Sequence, residues 1–91
     1  MNQARIEQIR TRLEIAFSPV SLEIVDDSHL HVGHAGARDG KGHFTVRIAS
    51  GKFAGTTPLQ RHRMVYDALG TLMDTDIHAL RVKARTPEAT D

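Results

Sequence analysis

Histidine is the residue type in this chain best suited to chemistry: there are six imidazoles in 91 residues, and no cysteine. His29, His31, His34 and His43 fall in or beside one glycine-rich stretch, and His78 stands apart at the start of a later alternating segment. Imidazole is a borderline ligand that suits Zn, Cu, Fe and Ni. A histidine set without thiolate is a poor structural zinc site, since such sites are normally closed by four ligands, so an incomplete set points to a metal shared with a partner. Iron in a [2Fe-2S] cluster accepts imidazole in place of thiolate, which lets a cysteine-free chain give histidine while a partner gives sulfur. Taken singly, each histidine is better explained as a solvated loop residue; the grouping shifts the weight. His62 differs, because periodicity sets it beside an apolar helical stripe, as a packed or capping residue.

Other chemistries find little support. There is no nucleophile elbow, no phosphate-cradling glycine loop ending in lysine, and no HExxH, so the chain reads as a non-enzyme. Asp26 and Asp27 are adjacent on a strand end and point to opposite faces, which suits solvation better than paired acid–base work. Net charge is +1, with residues 1 to 28 two units negative, 29 to 57 three units positive and the rest balanced. That is well below the basic footprint of a dedicated nucleic-acid domain. Gly33-His34-Ala35-Gly36 fits the GXXG of KH domains, but it lies between strands and not between helices. Phe17, Phe44, Phe53 and Tyr66 are accounted for as core, leaving no platform for stacked bases.

The elements that must position these residues are legible from periodicity. Thr57 to Met73 carries the clearest helix signal: Thr57 as cap, Pro58 in the first turn, Gln60 completing a capping box, and Val65, Ala68, Leu69 and Leu72 as one stripe. Gln60, Arg61, Arg63, Asp67 and Thr71 are read as its wet side. A first helix runs from an Asn2 cap through Ile6, Ile9, Leu13, Ala16 and Phe17, and Ser18-Pro19 stops it. Val20, Leu22 and Ile24 then alternate as a strand, a long loop covers 26 to 42, and Phe44, Val46 and Ile48 mark a second strand that pairs antiparallel with the first. Phe53 is expected to turn inward. Leu80, Val82 and Ala84 define a last strand, ended by Pro87. The order is helix, strand, strand, helix, strand: an α+β two-layer domain over 1–86, with 87–91 as a flexible tail. The start of the third strand is expected near the loop end of the first two, bringing His78 towards His31 and His43. No apolar run approaches the length of a membrane span, no secretory signal is present, and a cytoplasmic setting is the expectation.

Asp26-Asp27-Ser28 with His31, His43-Phe44, Phe53-Ala54-Gly55, the run Leu59 to Tyr66, and His78-Ala79-Leu80 together resemble the BolA family over residues 4 to 86. The resemblance implies a class II KH-like topology. It also implies a heterodimer with a monothiol glutaredoxin that bridges a [2Fe-2S] cluster, with thiolates from the glutaredoxin cysteine and a bound glutathione. His78 would be one ligand on this side. The second would come from the loop region, where His31 and His43 match the family's positions and His34 is an extra candidate. The family is also linked to transcriptional regulation, which implies an alternative role as a DNA-binding regulator, carried here by Arg61, Arg63, Lys52 and Lys41.

Overall fold

The computed structural model describes residues 2–28 and 42–87. Helix α1 (Asn2–Phe17) buries Ile9, Leu13 and Phe17. These positions are four apart, so they fall on one face. The helix already includes Asn2, expected to be its cap, a difference within the usual uncertainty of helix ends. It closes with Ser18 N–H donating to the Glu14 carbonyl at 3.0 Å. Ser18 takes φ of 43°, the left-handed position usually given to glycine, and Pro19 forbids a further turn.

Three strands follow: β1 (Ser21–Asp26), β2 (Gly42–Ala49) and β3 (Ile77–Arg85). They form one sheet in the order β1-β2-β3. β1 and β2 are antiparallel, as expected, with Leu22 opposite Ile48 and Ile24 opposite Val46. β3 returns beside β2 in parallel, which requires the crossover that α2 supplies. Val20, expected to be on the inner face of the first strand, precedes β1 and is exposed.

The structure divides the expected helix of residues 57 to 73 at Gly70. α2 spans Pro58–Leu69 and a single turn, α3, spans Leu72–Thr75. Gly70 takes φ of 55°, which a continuing helix cannot accommodate, and its N–H still reaches the Tyr66 carbonyl at 3.0 Å. Arg12 of α1 donates to the Leu69 carbonyl at 2.8 Å and so satisfies the broken end. The start matches expectation: Thr57 Oγ1 accepts from Gln60 N–H at 3.1 Å and Gln60 Oε1 accepts from Thr57 N–H at 2.9 Å.

Both long helices contribute to one core. Ile9, Leu13, Phe17, Val65 and Leu69 cluster with Phe44, Val46, Ile48, Ile77 and Leu80 of the sheet, and Phe53, turned inward as expected, sets its ring 4.9 Å from that of Phe17. Each fully buried aliphatic or aromatic side chain contributes roughly 1.5–3 kcal/mol. Ser50 is the polar member of this interior, and its hydroxyl donates to the Phe17 carbonyl at 2.6 Å while accepting from Lys52 N–H at 3.1 Å. The fold is thus α+β with a three-stranded mixed sheet, in the expected element order plus α3 and a short 3-10 turn at Gly51–Phe53.

α2 also guards the outer edge of β3. Tyr66 Oη donates to the Leu80 carbonyl at 3.3 Å, and Arg61 Nη1 donates to the Ala84 carbonyl at 3.2 Å. Arg61 also holds Thr56 Oγ1 through Nε at 3.0 Å, so the residue read as wet and available to a partner is half-buried and structural. Arg61→Ala is expected to lower stability by about 1–2 kcal/mol through loss of these bonds, measured by chemical denaturation. Arg63→Ala, at an exposed position, should change stability by less than about 0.5 kcal/mol.

The approach to β3 carries an ion pair. Arg5 of α1 meets the Asp76 carboxylate at 3.2 Å, and Asp76 O accepts from Gly42 N–H at 2.9 Å. The Thr75 hydroxyl holds the Asp76 carboxyl below its usual range against the opposing effect of burial, with a further lowering from Arg5. A folded-state value below the unfolded one gives stability that is complete above the unfolded value and is lost as pH falls through the folded one. Asp76→Asn should therefore reduce stability at neutral pH, and the gap from the parent should close as pH falls below the ordinary aspartate range; thermal melts at a series of pH values check this.

Candidate metal-ligand site

The site is built by the start of the β2–β3 pair. Gly42 pairs with Ile77, but His43 pairs with Ala79, so the register slips and His78 is left without an opposite residue on β2. Such a bulge re-aims a side chain. The burial pattern records the slip: Ile77 and Leu80, three residues apart, are both buried in the core, while His78 and Ala79 between them are exposed. His43 lies opposite to core-facing Phe44 in the alternation of β2 and so shares the outer sheet face. The rings of His43 and His78 lie with centroids 5.0 Å apart and planes tilted by 53°.

This spacing suits imidazoles on one metal centre. At metal–nitrogen distances of about 2.0–2.1 Å and tetrahedral angles, two ligating nitrogens stand roughly 3.3 Å apart and their ring centres on the order of 5 Å apart. Among the described residues no group of three or more His, Cys, Asp or Glu is placed to hold a metal ion. Two imidazoles would fill half of a tetrahedral shell.

His43 is a strand residue and not a loop residue. It is 6 % exposed, and its backbone is fixed from two sides. Its N–H donates to Ser28 Oγ at 3.0 Å, and its carbonyl accepts from Asp27 N–H at 2.7 Å. Asp27 also accepts from the Thr45 hydroxyl, and Asp26 Oδ1 accepts from Ser28 N–H at 2.8 Å, closing an Asx turn. The Asp-Asp-Ser run, read from sequence as a solvated strand end, is therefore the clamp on His43. The signal that could have found it was the short polar side chains directly after a strand, which favour such local bonds. Gly42 is needed for the same corner: a Cβ there would lie 2.3 Å from the Phe44 ring.

His31, His34 and Lys41 lie outside the described residues. His62 is packed, its ring 4.7 Å from that of Tyr66, in keeping with its reading as a non-ligand. Lys52 and Arg63 are exposed on the turn before α2 and on α2 itself; Arg61 is not free to join them.

Comparison with known proteins shows the family. The family model described as BolA-like protein matches residues 13–89. The chain is 46 % identical over 79 residues to BolA-like protein 1 of Homo sapiens, covering 87 % of this chain and 56 % of the relative. It is 41 % identical over 80 residues to the DNA-binding transcriptional regulator BolA of Escherichia coli (strain K12), covering 88 % and 73 %. The solved BolA domain of SufE1 from Arabidopsis thaliana superposes with a TM-score of 0.82 at 40 % identity, covering 92 % of this chain and 93 % of that one. This chain is therefore a member of the BolA-like family. It spans about half or less of several curated relatives, including 23 % of a SufE-like protein and 54 % of a chloroplastic BolA protein, both from Arabidopsis thaliana. No helix among the described residues is long and apolar enough to cross a membrane.

Proposed function

We propose that this chain is a non-enzymatic adaptor that co-ligates a [2Fe-2S] cluster through histidine, with a monothiol glutaredoxin and its bound glutathione supplying the thiolates, in iron–sulfur cluster trafficking or iron regulation. The observation that carries this reading is the pair His43 and His78, 5.0 Å apart on two strands held in register. Imidazole suits iron in such clusters, and two ligands alone leave the shell for a partner to complete. A cytoplasmic setting belongs to the same reading. His31 and His34 remain candidate ligands; in a glycine-rich stretch they lose more chain entropy on ordering than residues already fixed by strands.

The test mixes the purified chain with cluster-loaded monothiol glutaredoxin and follows visible absorption, circular dichroism and EPR. The chain alone should carry no cluster. His78→Ala and His43→Asn should each alter the spectra and shorten cluster lifetime more than His31→Ala or His34→Ala, with far-ultraviolet circular dichroism showing the fold intact. Wild-type spectra and lifetime in His78→Ala would remove the site assigned here.

The relationship to a DNA-binding regulator, together with exposed Lys52 and Arg63, supports a second reading, as a BolA-type transcriptional regulator. Two phosphate contacts predict weak duplex binding that falls about tenfold between roughly 50 and 200 mM salt. Tight, sequence-selective binding that persists at the higher salt, measured by fluorescence anisotropy, would favour this role.

A further inference from the structure

The outer face of the sheet carries a second feature, independent of the metal reading. Arg81, Lys83 and Arg85 alternate along β3 on this face, all exposed, opposite Thr45, Arg47 and Ala49 of β2. Arg47 lies opposite Glu23 in turn and donates to its carboxylate at 3.1 Å. Asp27, also at this face, is engaged by the Thr45 hydroxyl. Among the described residues none of Arg81, Lys83 and Arg85 forms an ion pair. Where Ala49 leaves room between the outer strands, a groove of about 250 Å³ runs past Ser21, Glu23, Arg47 and Arg85.

Cations on an edge strand commonly serve only to prevent pairing with other sheets. Here Tyr66 and Arg61 already occupy the Leu80 and Ala84 carbonyls along that edge. Like charges at alternate strand positions, roughly 7 Å apart, repel one another in the free protein and are relieved by an anionic partner of matching repeat. An extended peptide with acidic residues at every second position has that repeat. A nucleic-acid strand would also present anions, but among the described residues this face has no Phe, Tyr or Trp on which bases can stack: Phe17, Phe44 and Phe53 are in the core and Tyr66 is on α2, which leaves His78 as its exposed ring.

We propose that the β3 face is a docking surface for an extended acidic segment of a partner protein, whose alternate carboxylates meet Arg81, Lys83 and Arg85, with the groove between Arg47 and Arg85 holding one of them. The groove is smaller than a typical small-molecule pocket and suits a single carboxylate side chain. Arg47 gives one N–H to Glu23 and retains others for such a guest, and the Ser21 hydroxyl lies at the same opening.

The test titrates the isotope-labelled protein with a capped Glu-Thr-Glu-Thr-Glu-Thr peptide and follows backbone amide shifts. Shifts should concentrate at Ser21, Arg47, Lys83 and Arg85 and diminish with added salt. Neutralising the ladder (Arg81→Gln, Lys83→Gln, Arg85→Gln) should weaken binding about tenfold, as three exposed pairs would. Reversing it (Arg81→Glu, Lys83→Glu, Arg85→Glu) should transfer binding to the corresponding Lys-Thr peptide. Unchanged affinity in the neutral variant, or shifts centred elsewhere, overturns the proposal. Tighter binding of a thymidine oligonucleotide of equal charge also overturns it, in favour of phosphate.

Discussion

The parallel pairing of β2 with β3, with its one-residue slip before Ala79, is the constraint on which the rest depends. Side chains alternate strictly along a strand, so removing the slip would flip every side chain on one side of it to the other face. Held in its observed register, β3 sends both Ile77 and Leu80 into the core, presents His78 beside His43, and turns Arg81, Lys83 and Arg85 outward. Core, imidazole pair and cation ladder are thus three results of one register. The core resists a one-residue shift of that register, because it would expose Leu80 and bury Arg81.

The two layers divide the work. The helical layer supplies apolar stripes, and through Arg61 and Tyr66 it also ties down the edge of β3. The outer face keeps its polar groups bonded to one another near the histidines: Asp26 to Ser28, Ser28 to His43, Asp27 to Thr45. This network explains how a face that sequence alternation marks as wet can contain Thr45 in a buried position, and it fixes the backbone of His43 beside it. A buried polar group is tolerated where it is itself hydrogen-bonded, as the Thr45 hydroxyl is by Asp27.

What was legible in the sequence was local. The stripe of α1, the capping box of α2, the inward Phe53 and the alternation of β2 each depend on residues within a few positions of one another, and the structure agrees with them. What was missed depends on residues far apart. Met64 and Met73 look equally helical, and only Gly70 with Arg12, 57 residues before Leu69, decides where α2 ends. Arg61 reads as solvent-facing until Ala84 arrives beside it. Most consequentially, alternation already marks His43 as the opening of the second strand, but it does not show that β1 and β3 flank that strand on both sides. The proximity of His78 to the first strands was foreseen from the sheet; the bulge that aims it needs the register, which no local pattern contains.

Two histidines fixed on adjacent strands impose a particular chemistry on a shared metal. Residues already fixed by backbone pairing lose little further entropy on ligation, so more of the binding energy remains available to discriminate geometry. Among the described residues no third ligand joins His43 and His78. Under the proposed reading, these residues are therefore poised to receive a metal centre that they do not enclose by themselves. Retention then depends on the partner that brings the thiolates, and the histidine pair sets which face of this domain that partner must meet. That face is the outer one, where the ladder of β3 begins two residues from Ala79, so electrostatic approach and ligation are directed to one side of the sheet by the same slip in register.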